Sequence, residues 1–276
     1  LTDGAMPLTV AQRCRKLESL ELSVWTPHVI QSATLAAAPS LHELTLPLLN
    51  PAPIVELEKH RALRSLKVEL HEDNNTSFAD LSAALERVLP QLSELESLNV
   101  RVDTHSRTQL TLSRKLTLPT LRKLSCDGSF ARNLRAPSLE TASIKEPPDS
   151  WSLEWLDASP NLRELKIRSY SQAEVDASKD EQKRVLLAAD GSCRWSQLER
   201  VAIEPIAFSA AIVDIARACF GKLRALKITV DHTVTSEHVQ HLLAGSPLLE
   251  TAEVVQRLPG QHQPQQPRAC LPSPLL

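Results

Sequence analysis

A leucine, two variable residues, a second apolar residue, one variable residue and a third apolar residue recur ten times along the chain. The copies read LESLEL, LHELTL, LRSLKV, LESLNV, LRKLSC, LETASI, LRELKI, LERVAI, LRALKI and LETAEV. The first position is leucine in each, from Leu17 to Leu249, and all thirty skeleton positions are apolar. The second and third apolar residues stand two apart, which in a strand sends both to one face. The third is mostly β-branched (Val68, Val100, Ile144, Ile167, Ile203, Ile228, Val254), which favours extended backbone. Each copy therefore predicts one short strand with one buried face. Five copies carry a proline two residues before the first leucine: Pro39, Pro119, Pro137, Pro160 and Pro247. Proline ends a preceding helix and biases its neighbour toward extended geometry, so it marks entry into the strand.

Between the strands the apolar period lengthens. FADLSAALERVL from Phe78 places Leu81, Leu85 and Val88 on one helical face, and AAIVDIARACF from Ala210 does the same with Ile212, Ile215, Ala216 and Cys219. TSEHVQHLLAG from Thr235 has a capping serine or threonine ahead of a helix and Gly245 behind it. Strand, helix and strand in parallel order imply right-handed crossovers, with strands on one side and helices on the other. Units of this size cannot bury their own apolar faces and must stack on their neighbours.

Successive first leucines are 24, 22, 32, 26, 18, 23, 36, 25 and 26 residues apart. The 18-residue step from Leu121 to Leu139 is too short for a full helix and predicts a return by turns around Asp127, Gly128 and Asn133. The longest steps contain insertions at 71–77 and 172–184, which map to loops as recognition elements or as tolerated length. The expected organisation is a repeat array over residues 1–256, entered mid-repeat as in a fragment, then a disordered tail over 257–276 with five prolines and four glutamines. An open N-terminal end of the array predicts association through exposed apolar surface.

The skeleton, its irregular spacing and phrases such as SPNLRELKI and SPLLETAEV resemble the leucine-rich repeat family. The asparagine that extracellular members carry three residues past the third apolar position is absent, and the resemblance is to the ribonuclease-inhibitor-like branch found behind F-box motifs inside cells. It implies an α/β horseshoe with about ten short parallel strands on a concave face and helices or turns on the convex face. It also implies a protein-binding array, typically the substrate-selecting part of a cullin-type ubiquitin ligase subunit; a scaffold or regulator outside the ligase system is the alternative. Contact with the ligase adaptor requires an F-box, which these 276 residues do not show.

Charge narrows the partner. With 31 basic and 33 acidic residues the net charge is -2, so the whole chain has no general attraction for nucleic acid or an anionic membrane. Cys14, Cys126, Cys193, Cys219 and Cys270 are odd in number and widely spaced, as suits a reducing intracellular compartment, cytoplasmic or nuclear, and Cys126 fills a core position. No apolar stretch reaches the roughly eighteen residues of a membrane span.

Alternation along the strands points the variable positions outward. In repeats three to nine these carry Lys67, Arg101, Lys123, Lys145, Lys166, Arg168, Arg200 and Lys227 against Glu69, Asp127, Glu164 and Glu204, while the end repeats carry Glu21, Glu43 and Glu253. Lys67, Asn99, Arg101, Lys123, Lys145, Lys166, Arg168 and Lys227 are accordingly the expected partner-binding residues, for an acidic or phosphorylated protein. His238 and His241, three apart on the last helix, fall on its solvated side and do not make a metal site, and Trp151 and Trp155 read as core. The chain has six glycines, no phosphate-cradling loop, no HExxH and no nucleophile elbow, so neither an enzyme nor a cofactor is expected.

Overall fold

In a computed structural model of the chain, the described residues are 16–22, 28–48, 52–71, 77–103, 110–145, 154–168, 197–208, 221–230 and 233–256. Each skeleton forms a strand. In chain order the strands, two short ones outside the skeletons included, are β1 (Ser19–Glu21), β2 (Glu43–Leu48), β3 (Ser65–His71), β4 (Ser97–Asp103), a short β5 (Leu116–Thr117), β6 (Lys123–Asp127), a short β7 (Leu134–Arg135), β8 (Thr141–Lys145), β9 (Glu164–Arg168), β10 (Arg200–Phe208), β11 (Ala225–Val230) and β12 (Thr251–Gln256). Ten make one sheet in the order β1-β2-β3-β4-β6-β8-β9-β10-β11-β12, with every pairing parallel. The register keeps the skeleton in phase, so Leu44, Leu66, Leu98, Leu124, Ala142, Leu165, Val201 and Leu226 stand side by side in one row. That row and its neighbour at the third apolar position are buried, and the residues between them face out.

Helices return the chain behind the sheet. They are α1 (His28–Ala37), α2 (Ala52–Glu56) running into a 3-10 turn at Leu57–Lys59, α3 (Phe78–Val88), α4 (Gly128–Ala131) and α5 (Ser236–Ala244). α3 buries Leu81, Leu85 and Val88 as its period requires, and the hydroxyl of Ser77, the last residue of the 71–77 insertion, accepts from Asp80 N at 3.2 Å as its N-cap. On α5, Thr235 is the cap: its hydroxyl accepts from His238 N, and His238 Nδ1 accepts from Thr235 N at 3.3 Å, a capping box closed by histidine instead of glutamate. Gly245 follows with φ -74°, a right-handed conformation open to any residue, so its glycine is not a left-handed cap. The second predicted helix, from Ala210, and the 172–184 insertion lie outside the described residues, as do Trp151 and the segment 257–276.

The 18-residue step holds a single helical turn, α4, and shares with the step before it a feature the skeleton did not announce. β5 and β7 pair in parallel as a second, two-stranded sheet, through Leu116 with Leu134 and Thr117 with Arg135. Leu110, Leu112, Leu116 and Leu118 are all buried. Polar side chains fasten this stretch to its surroundings. Buried Glu86 on α3 accepts from Ser113 N and, at 2.8 Å, from Ser113 Oγ, while Asn133 Nδ2 donates to Leu112 O at 2.6 Å. Trp155 is buried as expected, on a 3-10 turn (Glu154–Ala158).

A third buried column lies three residues before the first leucine of the repeats described there. Ala38, His60, Leu92, Leu118, Ala136, Ser159 and Ser246 are all buried there. In the tight turn that follows, the carbonyl of this residue accepts from the leucine N–H, as Ala136 O does from Leu139 N and Ser246 O from Leu249 N. The prolines Pro137, Pro160 and Pro247 thus occupy the second turn position, where their fixed φ is preorganised. Ser159 satisfies its hydroxyl on Ala136 O at 2.9 Å and Ser246 on Leu242 O at 3.5 Å.

His60 in this column has no such outlet, and neither ring nitrogen makes a hydrogen bond of good geometry. Burial pushes its pKa below the ordinary 6.5, outweighing the opposing pull of the Leu35 backbone and Glu56. Below pH 6.5 the unfolded chain binds a proton that the folded chain refuses, so the stability present above that pH declines as pH falls toward the folded-state value. Urea titrations should show His60→Leu flattening this acid slope; an identical slope in the variant would assign it to other groups.

Candidate recognition face

Ten strands in phase lay their outward residues in straight rows. One row runs Glu21, Thr45, Lys67, Asn99, Ser125, Ser143, Lys166, Ala202, Lys227, Glu253 across the sheet. The row two residues earlier runs Ser19, Glu43, Ser65, Ser97, Lys123, Thr141, Glu164, Arg200, Ala225, Thr251. A third, on the other side, pairs Glu69 with Arg101 and sets Asp127, Lys145 and Arg168 in line. All eight residues expected to bind a partner are exposed or half-buried on this face. Glu204 on β10 lies where its side chain is not described.

The face is less uniformly basic than its composition. Lys67 Nζ lies 2.8 Å from Glu69, Lys227 Nζ 3.3 Å from Glu253, and Arg200 Nη1 3.9 Å from Glu164. Arg101, Lys123 and Lys166 make no ion pair among the described residues. They stand on β4, β6 and β9, around a strip of small hydroxyls made by Ser97, Ser125, Thr141 and Ser143, with Lys145 and Arg168 alongside. Asn99 completes the strip, its Oδ1 buried without a donor. Cations around hydroxyl donors make an environment suited to carboxylate or phosphate oxygens.

Next to this strip the surface sinks. Ala202 and Ala225 are short where neighbouring strands carry long side chains, and a depression of about 290 Å³ opens over them, rimmed by Glu164, Lys166, Arg200 and Lys227. That volume lies at the lower limit for pockets that enclose a small molecule, and its rim is charged where such pockets are mostly apolar. It accommodates a side chain or two of a docked protein. Burial pushes the Cys126 thiol well up, away from reactivity, with Asp127 adding to the shift. His238 is engaged in its capping box and His241 is exposed; among the described residues no three metal-binding side chains cluster.

Aligning the copies shows a pattern the single-repeat reading missed. The residue after each first leucine runs Glu18, His42, Arg64, Glu96, Arg122, Glu140, Arg163, Glu199, Arg224, Glu250, and from Arg64 onward its charge alternates without a break. Each backbone carbonyl in this column from Glu18 to Arg224 accepts two N–H groups from the next repeat, as Arg163 O does from Glu199 N and Arg200 N at 2.8 and 2.9 Å. The side chains pair along it: Arg122 with Glu140 at 3.8 Å, Arg163 with Glu199 at 3.7 Å and Arg224 with Glu250 at 2.8 Å. Exposed pairs of this kind contribute little stability, about 0–1 kcal/mol, and act mainly on which strand lies beside which.

No family model and no curated protein matches the chain. Solved structures do. A chain from a crystal structure of the yeast Rad7 and Elc1 complex aligns with a TM-score of 0.54 at 14% identity, over 90% of this chain and 59% of that one. A Bacteroides fragilis protein solved by a structural genomics consortium aligns with a TM-score of 0.45 at 16% identity, over 78% of this chain and 66% of that one. The likeness to the yeast chain is one of fold. This chain spans about 59% of its length.

Proposed function

We propose that the chain recognises another protein through the outward face of its ten-stranded sheet, as the substrate-binding part of an F-box-type ubiquitin ligase subunit. The face carries the reading: outward rows across ten strands whose side chains are not needed for the core, with Arg101, Lys123 and Lys166 free of ion pairs among the described residues at its middle, beside a shallow depression. The fold neighbour from yeast comes from a complex of two proteins, which supports a binding role. The leucine-rich repeat resemblance supports the ligase role and an intracellular setting. The strip of hydroxyls among cations favours an acidic or phosphorylated segment as the ligand, bound without a cofactor and without catalysis, on the concave side of an α/β horseshoe. No described helix is long and apolar enough to cross a membrane.

The test is a triple reversal, Lys145→Glu, Lys166→Glu and Lys227→Glu, applied to binding of a partner captured from cell extract. Association should slow by roughly tenfold or more and lose most of its salt dependence, since charges of this kind steer encounter. Circular dichroism should be unchanged. Undiminished binding by the folded variant would move the site off this face. If the ligase reading holds, silencing the protein raises the partner's abundance; an unchanged level with intact binding favours a scaffold or regulator.

A further inference from the structure

We propose that the outward face holds one extended peptide segment at two points: an anionic side chain over the hydroxyl strip and, about four residues along, an aromatic side chain in the depression. The inference rests on the reading of this face as a protein-binding surface and adds the line, spacing and chemistry of the bound segment. Ser125, Ser143, Lys166 and Ala202 follow one another in a single outward row from β6 to β10, so strip and depression lie on one line across the strands. The hydroxyls of Ser97, Ser125, Thr141 and Ser143 are half-buried and have no hydrogen-bond partner among the described residues. With Lys123 exposed beside them and Lys166 next in the row, they present donors to an oxyanion. The acid that follows Thr141 in its row, Glu164, lies 3.9 Å from Arg200 on its other side.

The depression has a different character. It opens over the methyl groups of Ala202 and Ala225, and its volume of about 290 Å³ has room for one aromatic side chain. Arg200 and Lys227 on its rim are each matched by a carboxylate, Glu164 and Glu253, at 3.9 and 3.3 Å. An anion placed there competes with these carboxylates, and a cation meets Lys166. A neutral ring instead lies on the alanines and offers its face to the rim cations. The spacing follows from the sheet. The strip is centred between β6 and β8 and the depression between β10 and β11, three strand intervals apart, or about 14 Å at roughly 4.8 Å each. An extended chain rising about 3.3 Å per residue covers that distance in about four residues, and two adjacent residues cannot reach both points.

The experiment uses the whole chain and fluorescent peptides read by anisotropy. The reference peptide carries phosphoserine and tryptophan four positions apart across Gly-Ser-Gly, made in both orders. One control has the two adjacent, one has serine for phosphoserine, and one has alanine for tryptophan. The better reference order should bind about tenfold tighter than each control, as expected when two weak contacts are linked. Ala202→Ile fills the depression and should erase the tryptophan advantage while leaving the phosphate advantage; Arg101→Gln with Lys123→Gln should do the converse. The peptide series on the unaltered chain decides independently of how either variant folds. Equal binding of the adjacent-pair and reference peptides, or a tryptophan advantage that survives Ala202→Ile, overturns the two-point site and leaves the acidic-ligand reading in place. No binding of any phosphopeptide removes both. A preference that emerges only after residues 172–184 are deleted gives the face to the chain's own insertion and overturns the proposal as well.

Discussion

Replacing Leu165 by alanine is expected to lower the folding free energy by about 2–5 kcal/mol, while Lys166→Ala, one residue further on, changes it by under about 0.5 kcal/mol. Leu165 is fully buried on β9 between Ala142 and Val201 of the adjoining strands. Ala142 is too small to swing into the space that truncation leaves, so the cavity stays largely open and the cost lies toward the upper part of that range. In an array each repeat is held by its neighbours, and both interfaces of β9 weaken together. Lys166 faces the opposite way, half-buried and without an ion partner, so its loss removes little packing. Urea unfolding of the two variants measures the difference; equal losses would mean that the faces are assigned wrongly.

The strands and their faces were legible because two signals coincide within six residues: a period of two and a leucine that opens every copy. Nothing within one repeat betrays what is shared only between repeats. The Glu and Arg alternation after the first leucine has a period of two copies spaced by 18 to 36 residues, so it emerges only when the copies are stacked in register. The buried column holding His60 is hidden for a different reason. Its occupants range from alanine to histidine, because backbone position and not side-chain chemistry places them under the turn. Outward placement of Lys67, Lys166 and Lys227 followed from alternation, but pairing did not: Lys67 finds Glu69 on its own strand and Lys227 finds Glu253 on the next, which depends on register. The depression over Ala202 and Ala225 was likewise invisible, since two small residues 23 positions apart become neighbours only through the ladder.

Phe130 marks the other large expected effect, where the repeat is shortest. The single turn of α4 cannot supply the apolar stripe of a full helix, and this one ring, fully buried, takes over much of that role. Around it, Ser129 Oγ donates to Leu110 O at 3.1 Å and the small sheet is closed by Leu116 N to Asn133 O and Leu118 N to Arg135 O, both at 2.8 Å. Phe130→Ala should cost about 3–5 kcal/mol, and Phe130→Leu, which keeps most of the volume, under about 1.5 kcal/mol. The position of the damage is as informative as its size. Hydrogen exchange should show the amides of Leu116 and Leu118 losing protection before those of β3 or β11, because α4 leads into β7, the partner of β5, and its Ser129 holds the Leu110 carbonyl, while the distant strands feel it only through intervening repeats. A uniform loss of protection along the whole sheet would mean that the array unfolds as one unit and that the short repeat is no weaker than the rest.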